Sequence, residues 1–292
     1  MDETDFIILK KLMENSRVTY RELAEIIDMS VSSTHKRINK LLDQDIIQRF
    51  TARPSAIALK SLLVLIFGTS SAKSLEAISN ELGQHECVEN VAIVSGKMLY
   101  ISGILRDISE LQDFSSFVSN TAQISEPTVG IINIPYITTP EPLTTIDYKI
   151  LKTLNKDARK PVTDIADEVG LSAKTVKKRL DRMIENYLVE FSIQTKAQHN
   201  LLTGFHISLN EGTDINSKMQ DVTEKYGQNV VGVLNYSNIP NFFTMYIWTR
   251  NIQDSNKVNE ELQNKGFKDV IPIIFLSSNY FDCWVDQLLR TK

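Results

Sequence analysis

Hydrophobic residues in the first 45 positions recur with the 3.6-residue period of amphipathic helices and predict three of them. Thr19 and Glu22 have the spacing of a capping box at the start of the second helix. Ser30 is a favourable N-cap for the third. The predicted inward positions are Ile8, Leu9 and Leu12 in the first helix, Tyr20, Leu23, Ala24 and Ile27 in the second, and Thr34, Ile38 and Leu41 in the third.

The same pattern returns 142 residues later without a gap. The offset holds from Asp5, which aligns with Asp147, to Arg37, which aligns with Arg179. The second copy has Pro161 in place of the N-cap Thr19, so it lacks the capping box. A repeat of this length indicates two copies of a complete folding unit, because solenoid proteins stack much shorter modules.

A second kind of pattern follows each three-helix unit. Residues 58–137 alternate as strand, helix, two strands, helix and strand, and this βαββαβ order returns in residues 203–281. β-prone runs at residues 46–50 and 188–193 are suited to wings; Arg49 lies in the first run and Arg53 just after it. The fold class predicted is α+β, a tandem repeat of a winged three-helix unit and a ferredoxin-like βαββαβ domain.

The two patterns set the domain boundaries. The linker between the halves is predicted at Pro135, Pro140 and Pro142, since prolines favour extended chain. A short amphipathic helix after Phe281 is expected to pack on a sheet or on a partner subunit. The four predicted domains are residues 1–54, 55–138, 139–196 with the linker included, and 197–292 with the C-terminal helix included.

Charge divides between the two kinds of unit. The whole chain has a net charge of −4, which by itself argues against binding nucleic acid. The net charge is 0 for residues 1–53 and +3 for residues 145–196, but −5 for residues 54–144 and −2 for residues 197–292. Since attraction to phosphate depends on the local field, the three-helix units are the candidate contact surfaces.

The third helix of each unit carries the candidate site on its outward side. Short polar side chains at its start and cations behind them are typical of a recognition helix, in which small groups reach base edges while Lys and Arg bind phosphates. Arg49 and Arg53 of the first copy are expected to touch the DNA backbone. The predicted DNA-binding residues are Ser32, Ser33, Lys36, Arg37, Lys40 and Arg49 in the first copy and Lys174, Thr175, Lys177, Lys178, Arg179 and Arg182 in the second.

A solvated helix surface is the alternative interpretation of these cations. Such a surface usually mixes charges of both signs in i,i+4 pairs. Residues 30–42 contain no acidic residue, and the equivalent segment of the second copy contains only Asp181. The recurrence of a basic face in both copies therefore favours DNA binding.

Three segments resemble a known family. The motif D-x-x-I-L-K-x-L from Asp5, the Arg17 and Ala24 pair, and Ser30 followed by Lys36-Arg37 are similar to the winged helix-turn-helix of Lrp/AsnC family transcription regulators. The resemblance implies a sequence-specific DNA-binding regulator with ferredoxin-like, RAM-type domains for dimerisation and sensing. Its implied partners are double-stranded DNA, further copies in a homodimer or higher even oligomer, and a small-molecule effector.

The residues expected to bind the effector match the family only in part. In the family, a Gly-x-x-Asp turn between the second and third strands helps to form the effector pocket. Here the turn has Gly96 but Leu99 in place of the aspartate, and the second copy has neither residue. Gly96 is therefore either an effector-binding residue or simply the glycine of a hairpin turn.

Two other function classes stay open. Relatives of the Lrp/AsnC proteins decarboxylate siroheme with histidine and arginine between their sensing domains, and some winged helices bind proteins instead of DNA. The candidate residues for the enzyme are scattered: His85, His199 and His206, with Arg106, Arg250 and Arg290. We therefore expect no enzyme, no cofactor and no metal, and a cytoplasmic protein without membrane contact.

Overall fold

The computed structural model of the chain describes residues 1–134, 142–196 and 201–292, with the side chain of residue 201 excepted. The linker prolines Pro135 and Pro140, and His199, lie outside the described residues. No helix within these ranges has the length and apolar content needed to cross a bilayer. The helices are α1 (Glu3–Glu14), α2 (Tyr20–Ile26), α3 (Val31–Asp43), α4 (Ala56–Leu59), α5 (Leu75–Leu82), α6 (Leu111–Ala122), α7 (Thr145–Leu154), α8 (Val162–Val169), α9 (Ala173–Glu185), α10 (Ile215–Tyr226), α11 (Ile252–Gln263) and α12 (Trp284–Thr291). The strands are β1 (Ile47–Pro54), β2 (Leu62–Thr69), β3 (Val88–Val94), β4 (Met98–Leu105), β5 (Thr128–Ile131), β6 (Val189–Thr195), β7 (Leu201–Ser208), β8 (Val230–Tyr236), β9 (Ile239–Thr249) and β10 (Asp269–Tyr280).

Two three-helix modules are present, α1 to α3 and α7 to α9. The capping box predicted at the start of α2 is confirmed: Thr19 accepts a hydrogen bond from the Glu22 backbone N–H, and Glu22 accepts one from that of Thr19. Pro161 gives α8 no side-chain cap. Gly170 ends α8 at φ +69°, a left-handed conformation that glycine adopts without strain. The predicted inward residues of α1 and α3 are buried, as are their counterparts in α7 and α9.

The two predicted wings are strands, but they do not stand apart. β1 pairs with β6 in an antiparallel ribbon, with Phe50 opposite Ile193 and Arg53 opposite Glu190. This pairing corrects the expectation of one separate wing per module. It satisfies backbone hydrogen bonds that a lone strand would leave open, and it joins the two modules.

Each βαββαβ segment forms a four-stranded antiparallel sheet, as predicted. The strand order is β5-β2-β4-β3 in the first copy and β10-β7-β9-β8 in the second, so equivalent strands occupy equivalent places. Helices α5 and α6 cover the first sheet, and α10 and α11 cover the second. The last strand of the first copy ends at Ile131 rather than at residue 137.

The two sheets join into one curled sheet of eight strands. β3 pairs with β10, and at the far ends Ile132 forms a bridge with Tyr236. Asn238 extends this closure, donating to the Val129 carbonyl at 2.7 Å. A Cβ on Gly130 would lie 2.3 Å from the Tyr236 ring, so the approach requires glycine. These contacts pair strand edges of the two sheets within one chain.

The modules dock on the sheets in a crossed arrangement. The first module packs against the second sheet, where Phe6 stacks on Trp248 with 5.4 Å between ring centroids. The second module instead meets α12, whose Leu289 enters that module's core. Trp284 of α12 is buried in the first ferredoxin-like domain and donates to the Ile104 carbonyl at 2.8 Å. The C-terminal helix therefore packs on the first copy, although the sequence places it after the second.

Candidate nucleic-acid interface

The outward side of α3 presents short polar groups and cations together. Ser32, Lys36 and Lys40 are exposed, as the sequence predicted. His35 and Asn39, which the sequence analysis did not select, are exposed on the same side, with 3.3 Å between His35 Nδ1 and Asn39 Nδ2. Their spacing of three and four residues from Ser32 and Lys36 is the signal that would have identified them.

The outward side of α9 is more strongly basic. Lys174, Lys177 and Lys178 are exposed there, with Thr175 beside them and Asp181 one turn further on. Lys177 and Asp181 occupy the positions of His35 and Asn39 in the first module. The two faces therefore share their cations at 36 and 178 but differ in the side chains that would reach base edges.

Two predicted contact residues, Ser33 and Thr175, bind the N-cap serines of their own helices. Ser30 accepts a hydrogen bond from the Ser33 backbone N–H at 3.1 Å, and the two hydroxyls lie 2.9 Å apart. In the second module Ser172 accepts from the Thr175 N–H at 3.1 Å, with 2.8 Å between the hydroxyls. Each N-terminus is thereby fixed before any ligand binds, because the cap satisfies a donor that the helix leaves unpaired.

Three predicted contact residues bind acidic side chains within their own module. Arg37 donates through Nη1 to Asp5 at 2.8 Å and to Asp2 at 2.9 Å. In the second module Arg179 and Arg182 both bind Asp147, at 3.0 and 2.5 Å. These pairs attach the recognition helix to the first helix of each module. The repeated Asp and Arg positions thus have a structural role that the sequence alone did not reveal.

The Asp147 carboxylate is fully buried, whereas Asp5 keeps 10% of its side chain exposed. Burial by itself raises the pKa of Asp147, but hydrogen bonds from Thr144 and Arg179, with the charge of Arg182, hold that pKa below its ordinary value. The carboxylate is therefore ionised at neutral pH and keeps both arginines in place.

The arginines of β1 differ from what their sequence suggested. Arg53 has only 11% of its side chain exposed and binds Asp286 at 2.8 Å and Glu89 at 2.5 Å, so its expected contact with DNA backbone is wrong. Arg49 is more exposed and lies 3.9 Å from Asp282. The difference follows from the β1–β6 ribbon, which turns Arg53 toward α12.

Each recognition helix borders an open cleft. The cleft at α9 has a volume of about 1120 Å³ and is lined by Thr144, Lys174, Lys178 and Arg179 among others. The cleft at α3 is smaller, about 420 Å³, and includes Asp2, Lys36, Arg37 and Lys40. Both clefts are lined by charged side chains of the recognition helix and by residues at the start of the first helix of the module.

The region between the two sheets is filled by aromatic side chains. The Tyr100 hydroxyl and His206 Nε2 lie 2.6 Å apart in a buried pair, and Phe67 and Phe242 contact the imidazole. Burial lowers the pKa of His206 to about 4, so this histidine is neutral at pH 7.

The remaining candidates for an enzyme lie apart from that pair. Arg106 binds Glu86 and Glu110, and Arg250 binds Glu3. Arg290 pairs with Asp282, and His85 packs on Phe114 and Phe117. Among the described residues, the contacts recorded for His206 include no arginine.

Gly96 lies in a tight turn between β3 and β4. Its φ of +71° is left-handed, and no side chain or backbone atom lies within 4 Å of the position that a Cβ would take. Lys97, beside it, also has positive φ. The glycine is thus required by the turn itself, whether or not an effector binds there.

Two family models match the modules. A model of winged helix-turn-helix DNA-binding domains matches residues 1–48, and one of AsnC-type helix-turn-helix domains matches residues 143–184. Each match contains the three helices of one module. The repeat recognised in the sequence is therefore a repeat of DNA-binding domains.

Similar whole proteins and structures extend this result. A siroheme decarboxylase, NirDL, has a crystal structure similar over 99% of this chain and 98% of its own, with a TM-score of 0.63 and 15% identity, which shows a shared duplicated fold. An uncharacterized HTH-type transcriptional regulator of Pyrococcus horikoshii is 31% identical over 119 residues, 40% of this chain and 80% of the relative. A second, from Pyrococcus furiosus, is 30% identical over 116 residues, 39% of this chain and 78% of the relative. With its two helix-turn-helix modules, the chain belongs to the Lrp/AsnC family of HTH-type transcriptional regulators.

Proposed function

We propose that this regulator binds double-stranded DNA through α3 and α9, each lying in a major groove. The observation that carries the proposal is that two equivalent helices expose cations and short polar groups at matching outward positions. A helix of this kind fits the major groove, where its side chains reach base edges.

The first module is assigned a neutral reading surface. Ser32, His35 and Asn39 contact base edges, since hydroxyl, imidazole and amide groups both donate and accept hydrogen bonds. Lys36 and Lys40 bind phosphates on either side. These roles rest on exposure and spacing along α3.

The second module is assigned a cationic reading surface. Lys174 is at the position of Ser32 and contacts bases, favouring guanine, whose edge offers two acceptors. Lys177 and Lys178 bind phosphates, and Thr175 contacts DNA from the first turn of α9. Because the two modules differ at these positions, we expect an asymmetric DNA site.

Four further arginines are assigned DNA contacts at the edges of the two reading surfaces: Arg37, Arg49, Arg179 and Arg182. All the bonds described for Arg37 to its two aspartates use Nη1, and a guanidinium has five N–H donors. Arg37 therefore contacts a phosphate while it holds α3 on α1. Arg179 and Arg182 are given the same double role, and Ser33 contacts DNA next to its cap.

A gel-shift titration on the DNA fragments that the purified protein retains tests this proposal. Binding should weaken steeply between about 50 and 200 mM salt, as counterion release requires. Lys36→Ala with Lys40→Ala should reduce the salt slope by about 2, and Lys257→Ala with Lys265→Ala, which removes the same charge from the sensing domain, should not. Undetectable or salt-insensitive binding would contradict DNA recognition and favour a protein-interaction module.

Sequence preference is tested separately. Ser32→Ala and Lys174→Ala should each change the preferred bases at one half of the site and leave the other half unchanged. Selection from random DNA, followed by sequencing, measures both halves in one experiment. Loss of affinity without a change of preference would place these residues on the backbone instead.

The proposal also includes assembly and an effector. We infer a cytoplasmic homodimer or higher even oligomer, supported by the exposed Ile271 and Leu276 on β10 and by the family. A small-molecule effector at the Gly96 turn is part of the same inference, and amino acids are the first class of compound to test. Light scattering of the purified chain with and without amino acids measures both; a monomer at all concentrations would contradict assembly.

A second candidate function is siroheme decarboxylation. It is favoured by the likeness over the whole chain to NirDL and by His206 between the two sheets. Against it stand the aromatic filling around His206 and the separate ion pairs of the arginines. No catalytic role is therefore included in the main proposal. An unchanged absorbance spectrum after mixing with siroheme, alongside DNA binding, would dismiss the enzyme.

A further inference from the structure

Two arginines hold the DNA-binding modules together in a reciprocal arrangement. Arg17, in the turn between α1 and α2, donates to the carbonyls of Ala158 and Lys160 in the other module, at 2.5 and 3.2 Å. Arg159, in the equivalent turn of the second module, donates to the carbonyls of Ser16 and Val18, at 3.1 and 3.0 Å. With the offset of 142, each arginine binds the residues that flank the other.

Backbone hydrogen bonds and aromatic contacts between the modules are also reciprocal, although Phe50 and Phe191 are one residue away from exact equivalence at the offset of 142. The Ser16 N–H donates to the Phe191 carbonyl and the Ala158 N–H to the Phe50 carbonyl, both at 3.2 Å. The Arg17 guanidinium lies 5.7 Å from the centroid of the Phe191 ring, and that of Arg159 lies 5.3 Å from Phe50. Arg159 also lies over Tyr20 at 4.6 Å.

Arginine is suited to this position where lysine is not. Its planar fork reaches two carbonyls at once and stacks on an aromatic face, whereas an ammonium group is a single point charge. Both arginines are half-buried, and burial lowers the pKa of each. For Arg17 the charge of Arg159 also lowers the pKa, and that of Asp157 partly offsets this. The bonds to four carbonyls and the aromatic faces are the contacts that hold the two guanidinium groups in the interface.

The two modules have another connection besides these arginines. The β1–β6 ribbon joins them along one line, and a two-stranded ribbon twists easily. The Arg17 and Arg159 bonds add a separate attachment at the turns between the first and second helices. Together with the docking of the first module on the second sheet and of the second module on α12, the two attachments restrict the relative orientation of the modules more than the ribbon alone would.

We propose that Arg17 and Arg159 are positioning residues that set the distance and angle between α3 and α9, and so select the separation of the two DNA half-sites. The proposal rests on the DNA binding proposed above. Neither arginine needs to contact DNA for this role. Rigid coupling gives the two-headed protein its gain in affinity over a single head at one spacing only, because other spacings cannot engage both heads.

A distance measurement without DNA tests the geometry. Spin labels at Asp43→Cys and Glu185→Cys, exposed equivalent positions at the ends of α3 and α9, report the separation of the recognition helices. Cys87 and Cys283 are buried and should stay unlabelled. The distribution should be narrow in the parent and at least twice as wide in Arg17→Lys with Arg159→Lys. An equally narrow distribution in this variant overturns the proposal.

A half-site spacing series tests the consequence. Affinity at the best spacing should fall about tenfold in Arg17→Lys with Arg159→Lys, while affinity for an isolated half-site stays within about twofold. Arg21→Ala, an exposed arginine of the same module, is the matched control and should change neither. An unchanged spacing profile overturns the proposal.

The possible failures are distinguishable. If the parent binds no DNA, the proposed function fails, and the spin-label distances still decide whether the arginines fix the modules. If the lysine variant melts in the same transition as the parent but loses affinity for single half-sites too, the arginines act on DNA directly and the positioning role is wrong.

Discussion

The two DNA-binding modules have nearly the same internal structure but dock on their sheets differently. The first rests directly on the second sheet through Phe6 and Trp248, with Lys10 donating to the Gly227 carbonyl at 3.3 Å. The second rests on α12, where Lys152 donates to the Arg290 carbonyl at 2.8 Å. Duplication made two equal units, and the one helix after the second unit made their surroundings unequal.

Because of that difference, each tryptophan supports the docking of a different module: Trp248 of the first and Trp284 of the second. Trp284→Ala should destabilise the chain by about 3–5 kcal/mol, since it removes a buried indole and its hydrogen bond, and should expose the second module to proteolysis first. Trp248→Ala should have the reverse effect and expose the first module. Urea unfolding with limited proteolysis of both variants measures this. The same first cleavage site in both variants would show that the docking difference is not important.

The contact between the two sheets is also unequal. Counted from the start of each strand, His206 of β7 is placed where β2 has Phe67, and the two rings contact each other at 4.6 Å. Burial lowers the pKa of His206 to about 4 in the folded chain, below its unfolded value. The contribution of a neutral His206 to folding stability is therefore present at pH values above the unfolded pKa of about 6.5 and is lost as the pH falls toward 4. The loss should amount to about 3 kcal/mol.

Denaturation at several pH values measures that loss. His206→Gln keeps a partner for the Tyr100 hydroxyl without a titrating ring, so its stability should vary much less between pH 6.5 and 4. An equal decrease in this variant would assign the acid sensitivity to other groups.

The Asp–Arg attachments of the recognition helices form a third comparison. Asp147→Asn should cost about 2 kcal/mol, because it removes the buried negative charge that Arg179 and Arg182 both bind. Asp5→Asn should cost less, since Arg37 keeps Asp2. The contribution of Asp147 is present at neutral pH and is lost in acid, because its folded pKa is below its ordinary value. Thermal melting at pH 7 and pH 3 checks both; equal costs at the two positions would contradict the assignment.

The smallest expected difference lies at the caps of α2 and α8. Thr19→Ala should destabilise the first module by about 1 kcal/mol, because the Glu22 N–H loses its acceptor. Pro161→Ala should have a smaller effect, as Pro161 makes no side-chain cap. Hydrogen exchange of the amides in α2 and α8 resolves the two; matching changes would show that the cap is not decisive.

The sequence predicted the local structure well and the contacts between units poorly. The inward positions, the capping box and both βαββαβ orders follow from periodicities that depend on neighbouring residues. The β1–β6 pairing, the burial of Arg53 by Asp286 and the place of α12 depend on residues more than 130 positions apart. Periodicity contains no information about such partners.

The candidate site shows the same limit. Exposed Lys36 and Lys178 follow from the helical period, and so would His35 and Asn39 had their spacing been considered together with their type. The acidic partners of Arg37 and Arg179 lie in another helix, so the sequence offered these arginines as free cations. The roles of Arg17 and Arg159 required both modules to be placed.

Both modules belong to one polypeptide and are held together by the β1–β6 ribbon, which has a consequence for the dose response of the regulator. A regulator that must first pair two chains loses its two-headed form on dilution, so its occupancy of DNA rises with more than the first power of concentration. Here both heads belong to one polypeptide, and dilution cannot separate them. For a DNA site that needs only these two heads, occupancy should follow the first power of concentration at low occupancy, whether or not two chains also assemble into the oligomer inferred above.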